Sequence, residues 1–130
     1  MVFARTALEN RVQGDALENA YDTLQELKNV GAEIDVFGNV TLYHYTNHRD
    51  GTKIWENKYM KPQLNAVYFS TNGNKNSYAS GYGEYVLRFH IPVEKLVLYD
   101  IFKNEAHVYI PLYGKKILFV KDYLCTVHRM

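Results

Sequence analysis

The sequence contains little of what marks several common classes of protein. Cys125 is the only cysteine, so the chain has neither a disulfide framework nor a thiol metal cluster, and we expect a buried structural thiol. No apolar run approaches the ~20 residues of a membrane-spanning helix, and the first residues include no apolar signal core. We therefore expect a cytoplasmic protein without a membrane partner, or an effector delivered by a dedicated machine into the cytoplasm of a host or target cell.

Several functional motifs are also missing. The chain has no Gly-x-Gly-x-x-Gly, no phosphate loop of the Gly-Lys-Ser/Thr kind and no Gly-x-Ser-x-Gly nucleophile elbow. The five histidines show no zinc-like spacing, because we place His44 on a strand and His48 in a loop, so we expect no metal. A net charge of +1 provides no overall attraction to nucleic acid or anionic membrane.

Tyrosine is the residue that the sequence has in excess, with 12 among 130 residues. Tyrosine suits β-sheets, and its flat face and polar tip also suit pockets that stack planar ligands. The hydrophobic content of 47% and the charged content of 22% are near the globular average. At this length we expect a single domain, 1–130, with one core.

A helical pattern precedes the strand patterns. Asp15 is a helix-capping residue and Gly31 a helix terminator, and between them apolar residues recur every three or four positions. Residues 1–39 are therefore a helical lead-in and 40–130 the core of the fold. We predict strands over 40–45, 66–70, 85–91, 97–101, 106–112, 116–120 and 124–127, the fifth and sixth forming a hairpin around Tyr113-Gly114. Together with short helical insertions they predict an α+β fold, mostly antiparallel.

Three short segments place polar or aromatic side chains where a core strand would normally hold Val or Ile. They are Leu42-Tyr-His-Tyr-Thr46, Val67-Tyr-Phe-Ser-Thr71 and Asn104-Glu-Ala-His-Val-Tyr-Ile110. We expect His44, Tyr68 and Glu105 to be three walls of one pocket.

In this order and with these gaps, the three segments resemble the ADP-ribosyltransferase superfamily over about residues 40–123. The resemblance is closest to its His-Tyr-Glu class, which includes diphtheria-toxin-like enzymes and the poly(ADP-ribose) polymerase catalytic domain. It implies split antiparallel β-sheets, NAD as co-substrate and no metal. It also implies a small toxin or phage effector that modifies a macromolecule, expected to be a protein of a host or competitor cell. A monomer is compatible with the sequence.

The resemblance implies a role for each motif residue. His44 would anchor the adenosine half of NAD, with Thr46 assisting. Tyr68 would stack on the nicotinamide ring, and Glu105 would bond the ribose hydroxyl and orient the acceptor. Ser77 would bond the nicotinamide amide. The remaining NAD-binding residues are Tyr45, Ser70, Lys75 and either Tyr78 or Tyr82, which would cover the second face of nicotinamide.

Two departures from the family pattern indicate which kinds of ADP-ribose transfer are disfavoured. The arginine-modifying class has Glu or Gln two positions before its catalytic Glu, whereas Lys103 stands there in this chain, so arginine is disfavoured as the acceptor. We expect mono-transfer, because the chain lacks the accessory domains of polymerases. A catalytically inactive binding protein of the same fold is the alternative. RNA 2′-phosphotransferase ranks lower, because only Arg49 and Arg88 lie near the predicted site.

Overall fold

Two helices open the chain, and a third interrupts the series of strands. The computed structural model describes residues 2–62 and 64–129. The helices are α1 (Val2–Glu9), α2 (Gly14–Asn29) and α3 (His48–Asn57). The strands are β1 (Asn39–Thr46), β2 (Tyr59–Met60), β3 (Ala66–Ser70), β4 (Tyr85–Pro92), β5 (Val97–Phe102), β6 (Glu105–Pro111), β7 (Leu118–Phe119) and β8 (Leu124–Arg129). Short 3-10 turns occur at Ser80–Tyr82 and Val93–Lys95.

Six strands form one antiparallel sheet in the order β5-β6-β3-β1-β4-β8, and β2 pairs with β7 in a separate two-stranded sheet. The predicted α+β class with mostly antiparallel strands is confirmed. β1 and β4 stay in register along their whole lengths. β1 and β3 share one registered pair among the described residues, Tyr43 opposite Ser70. The large sheet therefore has two halves, β8-β4-β1 and β3-β6-β5, that meet at a narrow junction, here called the seam.

The predicted amphipathic helix is α2. Its apolar positions Ala20, Leu24 and Leu27 are buried, because a spacing of three and four places them on one side of the helix. The helix ends at Asn29, and Gly31 follows with a φ of 80°. Glycine adopts this left-handed conformation without steric cost, so it terminates the helix as the sequence predicted.

Strand alternation gives the large sheet two unlike faces. The core face packs against residues of all three helices in one hydrophobic cluster. It consists of Val40, Leu42, Val67, Phe69, Leu87, Phe89, Ile91, Ala106, Val108 and Ile110. The alternate positions form the outer face. They include Thr41, Tyr43, Tyr45, Tyr68, Ser70, Arg88, Glu105, His107, Tyr109, Thr126 and His128.

Four local expectations were wrong. Asp15 does not cap α2, because Gln13 occupies the N-cap position and Asp15 lies in the first turn of the helix. The strand at Leu118–Phe119 pairs with β2 and not with β6, because the chain leaves the sheet at Tyr113 and Gly114, which both have positive φ. His48 does not lie in a loop, because it is the first residue of α3. The Asn47 side chain accepts a hydrogen bond of 2.8 Å from the Asp50 amide and so caps that helix. Cys125 is half-buried because it lies on the edge strand β8.

Within the ranges that the structure describes, no helix has the length and apolar character that crossing a membrane requires.

Candidate functional site

Glu105 begins β6 and is only 2% exposed. Its Oε2 accepts hydrogen bonds from Ser70 Oγ at 2.8 Å and from Ser77 Oγ at 2.7 Å. Both serines are held in place by backbone amides, because Ser70 Oγ accepts from the Asn72 N–H and Ser77 Oγ accepts from the Ala79 N–H. The two hydroxyls therefore point at the carboxylate without any rearrangement.

The other oxygen of Glu105 faces residues 71–84, here called the site loop. Oε1 accepts from Asn72 Nδ2 and from the Tyr78 backbone N–H, each at 3.2 Å. His107 Nε2 lies 2.6 Å from Oε2 and supplies a further donor. The carboxylate thus has five donors among the described residues. A ligand hydroxyl that bonds Glu105 must displace one of them, and the longer bonds from the site loop are the weakest.

The electrostatics of this cluster keep Glu105 charged. Burial by itself raises the pKa of Glu105, but the hydrogen bonds from Ser77, Ser70, His107 and the Tyr78 amide together bring its pKa below the ordinary value. The carboxylate is therefore ionised at neutral pH. A buried and fully hydrogen-bonded anion of this kind is a typical feature of a functional site.

His107 and Asp100 extend the cluster along the sheet. His107 Nδ1 lies 2.5 Å from Asp100 Oδ1 on β5. Burial alone lowers the pKa of His107, but its bonds to Asp100 and Glu105 outweigh burial and raise the pKa above the ordinary value. Neither His107 nor Asp100 is among the site residues predicted from the sequence. The available signal was the spacing of two between Glu105 and His107, which places both on one face of a strand.

His44 lies on the core-facing side of β1, at the seam. Its Nδ1 is 2.8 Å from the Tyr68 carbonyl oxygen, and its ring meets the edge of Phe69 at a centroid distance of 5.9 Å. Burial lowers the pKa of His44 despite the opposing effect of that carbonyl. The ring is therefore neutral at pH 7. Since a carbonyl only accepts, Nδ1 carries the proton and Nε2 is left as an acceptor.

The ring of Tyr68 lies on the outer face and is 40% exposed. It packs against Tyr99 and Tyr109 at centroid distances of 5.2 and 5.3 Å. The structure therefore joins His44 to Tyr68 through the Tyr68 backbone, whereas the Tyr68 ring shares its face with Glu105. Among the described residues, His44 makes no hydrogen bond to Glu105.

Two residues of the first motif anchor the site loop. The Tyr45 hydroxyl lies 2.6 Å from the Asn72 carbonyl oxygen and 2.8 Å from that of Asn74. Thr46 is buried, and a Cβ on Gly83 would lie 2.0 Å from its carbonyl oxygen. Only glycine fits at that approach. The structure thus places Tyr45 and Thr46 under the site loop.

The remaining predicted residues lie on the surface of the site loop. The Tyr78 ring meets the edge of Phe102 at 4.6 Å and is 52% exposed. Tyr82 is more exposed still, and Lys75 is also exposed. The backbone amide of Tyr78 donates a hydrogen bond to Glu105. Tyr82 makes no ring contact within the described part of the chain.

Over residues 2–62 and 64–129, no group of three or more His, Cys, Asp or Glu side chains is arranged to hold a metal ion. No protein-family model, curated protein or solved structure matches this chain.

Proposed function

We propose that this protein is an NAD-dependent mono-ADP-ribosyltransferase of the His-Tyr-Glu kind. The observation that carries the proposal is the buried, ionised Glu105, which Ser70, Ser77 and His107 hold on the same face of the sheet as the ring of Tyr68. The division of the sheet at the seam supports the split-sheet fold that the sequence resemblance implies.

The chemistry requires a fixed negative charge close to the ribose. Nicotinamide leaves with the electrons of its bond to ribose, and the ribose carbon passes through an oxocarbenium-like state. A carboxylate held in place beforehand stabilises that positive charge. The acceptor then bonds to the ribose carbon and loses a proton. Because its pKa is lowered, Glu105 carries the necessary charge at neutral pH.

The ring of Tyr68 supplies the main binding contact in this proposal, because it is exposed enough to stack on a planar ring. His44 lies on the core-facing side of β1 and, in this proposal, positions β3 through its bond to the Tyr68 carbonyl oxygen. For the ribose to reach Glu105, its hydroxyl takes the place of the Asn72 amide at Oε1. NAD binding is therefore coupled to a shift of the site loop.

Glu105→Gln tests the proposal, because it removes the charge and preserves the shape of the side chain. We expect NAD hydrolysis and transfer to fall by about 10² or more, as for other electrostatic stabilisers, with NAD binding retained. Glu84→Gln is the matched control, since Glu84 is an exposed glutamate of the same site loop. Full turnover by Glu105→Gln would overturn the assignment. Mass spectrometry of a lysate incubated with the protein and labelled NAD identifies the acceptor.

A catalytically inactive binding protein of the same fold is the second candidate. The five donors around Glu105 favour it, because a saturated carboxylate can serve a structural role alone. In that case the wild-type protein turns over no NAD. Glu105→Gln then lowers the free energy of unfolding without any effect on activity, and calorimetry beside the turnover assay separates the two candidates.

A further inference from the structure

A polar cavity of about 560 Å³ lies on the outer face of the β8-β4-β1 half, apart from Glu105. Its floor consists of Thr41, Tyr43, Arg88, Thr126 and His128, which come from three neighbouring strands. Residues 30–33 and 71–74 form its rim. Hydroxyl, amide, imidazole and guanidinium groups line it, so its chemistry suits a charged or strongly polar ligand and not an apolar one.

Arg88 is the unusual member of this floor. Its Nε atom is buried and has no hydrogen-bond partner among residues 2–62 and 64–129. Within the same ranges no carboxylate lies within ion-pair distance of its guanidinium. An arginine side chain is always protonated, and buried polar atoms in proteins almost always have a partner. The missing partner of this Nε atom is thus expected to come from outside the chain.

The surrounding groups define what that partner is. Thr126 lies opposite Arg88 on β8 and offers one hydroxyl donor, and Thr41, which pairs with His90, offers another from β1 on the other side of β4. Glu33 lines the rim and supplies the opposing charge. Burial raises the pKa of Tyr43, Glu33 raises it further and Arg88 lowers it, so both charges act within the cavity. Arginine with flanking hydroxyls is a typical set of ligands for phosphate oxygens.

We propose that this cavity binds a phosphate-class anion, with the Arg88 guanidinium as its principal donor. The site adjoins Glu105 through Asn72, which lines the cavity and also donates to Glu105 Oε1. The anion is either the diphosphate of a nucleotide co-substrate or a phosphate of a second ligand. The existence of the anion site does not depend on the transferase activity.

Titration calorimetry of the full chain with inorganic pyrophosphate tests the site. We expect Arg88→Gln to weaken pyrophosphate binding by about tenfold or more, since hydrogen bonds to charged groups are the strong ones. Arg49→Gln is the matched control, because Arg49 is exposed on α3 and the variant changes the net charge equally. We expect Glu33→Gln to tighten binding by about two- to fivefold, since it removes the opposing carboxylate.

The Glu33→Gln variant keeps the proposal testable if Arg88→Gln does not fold. Absence of pyrophosphate binding to the wild type at millimolar concentration, or unchanged affinity in both Arg88→Gln and Glu33→Gln, would overturn the site. If Arg88→Gln weakens NAD and pyrophosphate binding together, the anion is the nucleotide diphosphate. If it weakens pyrophosphate binding alone, the anion belongs to a second ligand. Glu105→Gln keeps pyrophosphate binding in either case, so failure of the transferase proposal is distinguishable.

Discussion

The two faces of the large sheet are built from the same strands and differ in almost every property. On the core face, Leu42, Phe89 and Val108 are fully buried beneath the helices. On the outer face, Tyr43 and Arg88 are covered only in part, by the site loop and the residues that line the cavity. Alternation along each strand therefore gives stability to one side and chemical groups to the other.

The two faces are also stabilised by different kinds of interaction. The core face needs only apolar packing, which is non-directional and tolerates conservative exchange. The outer face depends on directed hydrogen bonds, as around Glu105, where the loss of one donor leaves a buried charge incompletely paired. The first face is thus expected to respond to changes of volume, and the second to changes of donor, charge and loop position.

The largest expected effect is on the core face. Phe89 is fully buried, so Phe89→Ala leaves a cavity and is expected to lower the free energy of unfolding by about 3–5 kcal/mol. Phe102→Ala is the matched control, because Phe102 lies on the edge strand β5 and is 52% exposed. Urea unfolding followed by circular dichroism measures both. Equal losses in the two variants would contradict the assignment of the core face.

The next effect concerns the closure of the site loop over the outer face. In Gly83→Ala the new Cβ meets the Thr46 carbonyl, and the φ of 151° is strained for any other residue. We expect the free energy of unfolding to fall by about 1–3 kcal/mol. We also expect faster hydrogen exchange at the Tyr78 amide. Gly81→Ala introduces the same methyl group where nothing lies within 4 Å and is expected to leave exchange unchanged. A protected Tyr78 amide in Gly83→Ala would show that the loop is not held there.

The pH dependence of stability sharpens the contrast, since the outer face is the one with the coupled charges. The folded pKa of His107 is raised above 6.5, so its contribution is complete below pH 6.5 and is lost as the pH rises through the folded value. The folded pKa of Glu105 is lowered below 4.5, so its contribution is complete above pH 4.5 and is lost as the pH falls through the folded value. The two contributions are therefore fully present together between pH 4.5 and 6.5.

Urea unfolding from pH 4 to pH 9 measures this profile. We expect His107→Gln to remove the decline in stability on the alkaline side. His90→Gln serves as the control, because His90 is an exposed histidine of β4 whose replacement leaves the profile as in the wild type. If stability still declines on the alkaline side in His107→Gln, the titration of His107 is not the cause of that decline.

The smallest expected effect concerns a single ring of the outer face. Tyr68→Ala is expected to weaken NAD binding by about 0.5–1.5 kcal/mol beyond the contribution of buried area, which is the range for aromatic stacking. Stability changes little, because the ring is 40% exposed. Tyr113→Ala removes a tyrosine that is 84% exposed and leaves the affinity intact. Calorimetric titration with NAD decides, and an unaltered affinity in Tyr68→Ala removes this ring from the site.

The local sequence pattern was sufficient to predict where individual helices and strands lie along the chain. The apolar stripe of α2 and the glycine after it predicted that helix to within two residues at each end. The strand over 66–70 was predicted with its observed bounds. The pairing of 116–120 with 106–112 was wrong, because strand pairing depends on where the chain turns in space and not on the neighbouring pattern.

The candidate site shows the same division. The sequence pointed to Glu105 as an acid at the start of a strand, and the family resemblance implied Ser70 and Ser77 as separate NAD-binding residues. Only the tertiary structure brought them into one hydrogen-bonded cluster and added His107 and Asp100. The pairing of β5 with β6 brings those two opposite each other across a bulge, and a register cannot be obtained from either strand by itself.

The sequence by itself thus determined the α+β class, the helix α2 and the positions of most strands of the large sheet, and it marked some of the residues of the candidate site. The tertiary structure decided which of these residues meet. It placed His44 at the seam and Glu105 among its five donors. It left the Nε atom of Arg88 without a hydrogen-bond partner among the residues that the structure describes. The physical reason is that propensity and periodicity are local along the chain, whereas hydrogen-bond partners and buried charges depend on residues far apart in sequence.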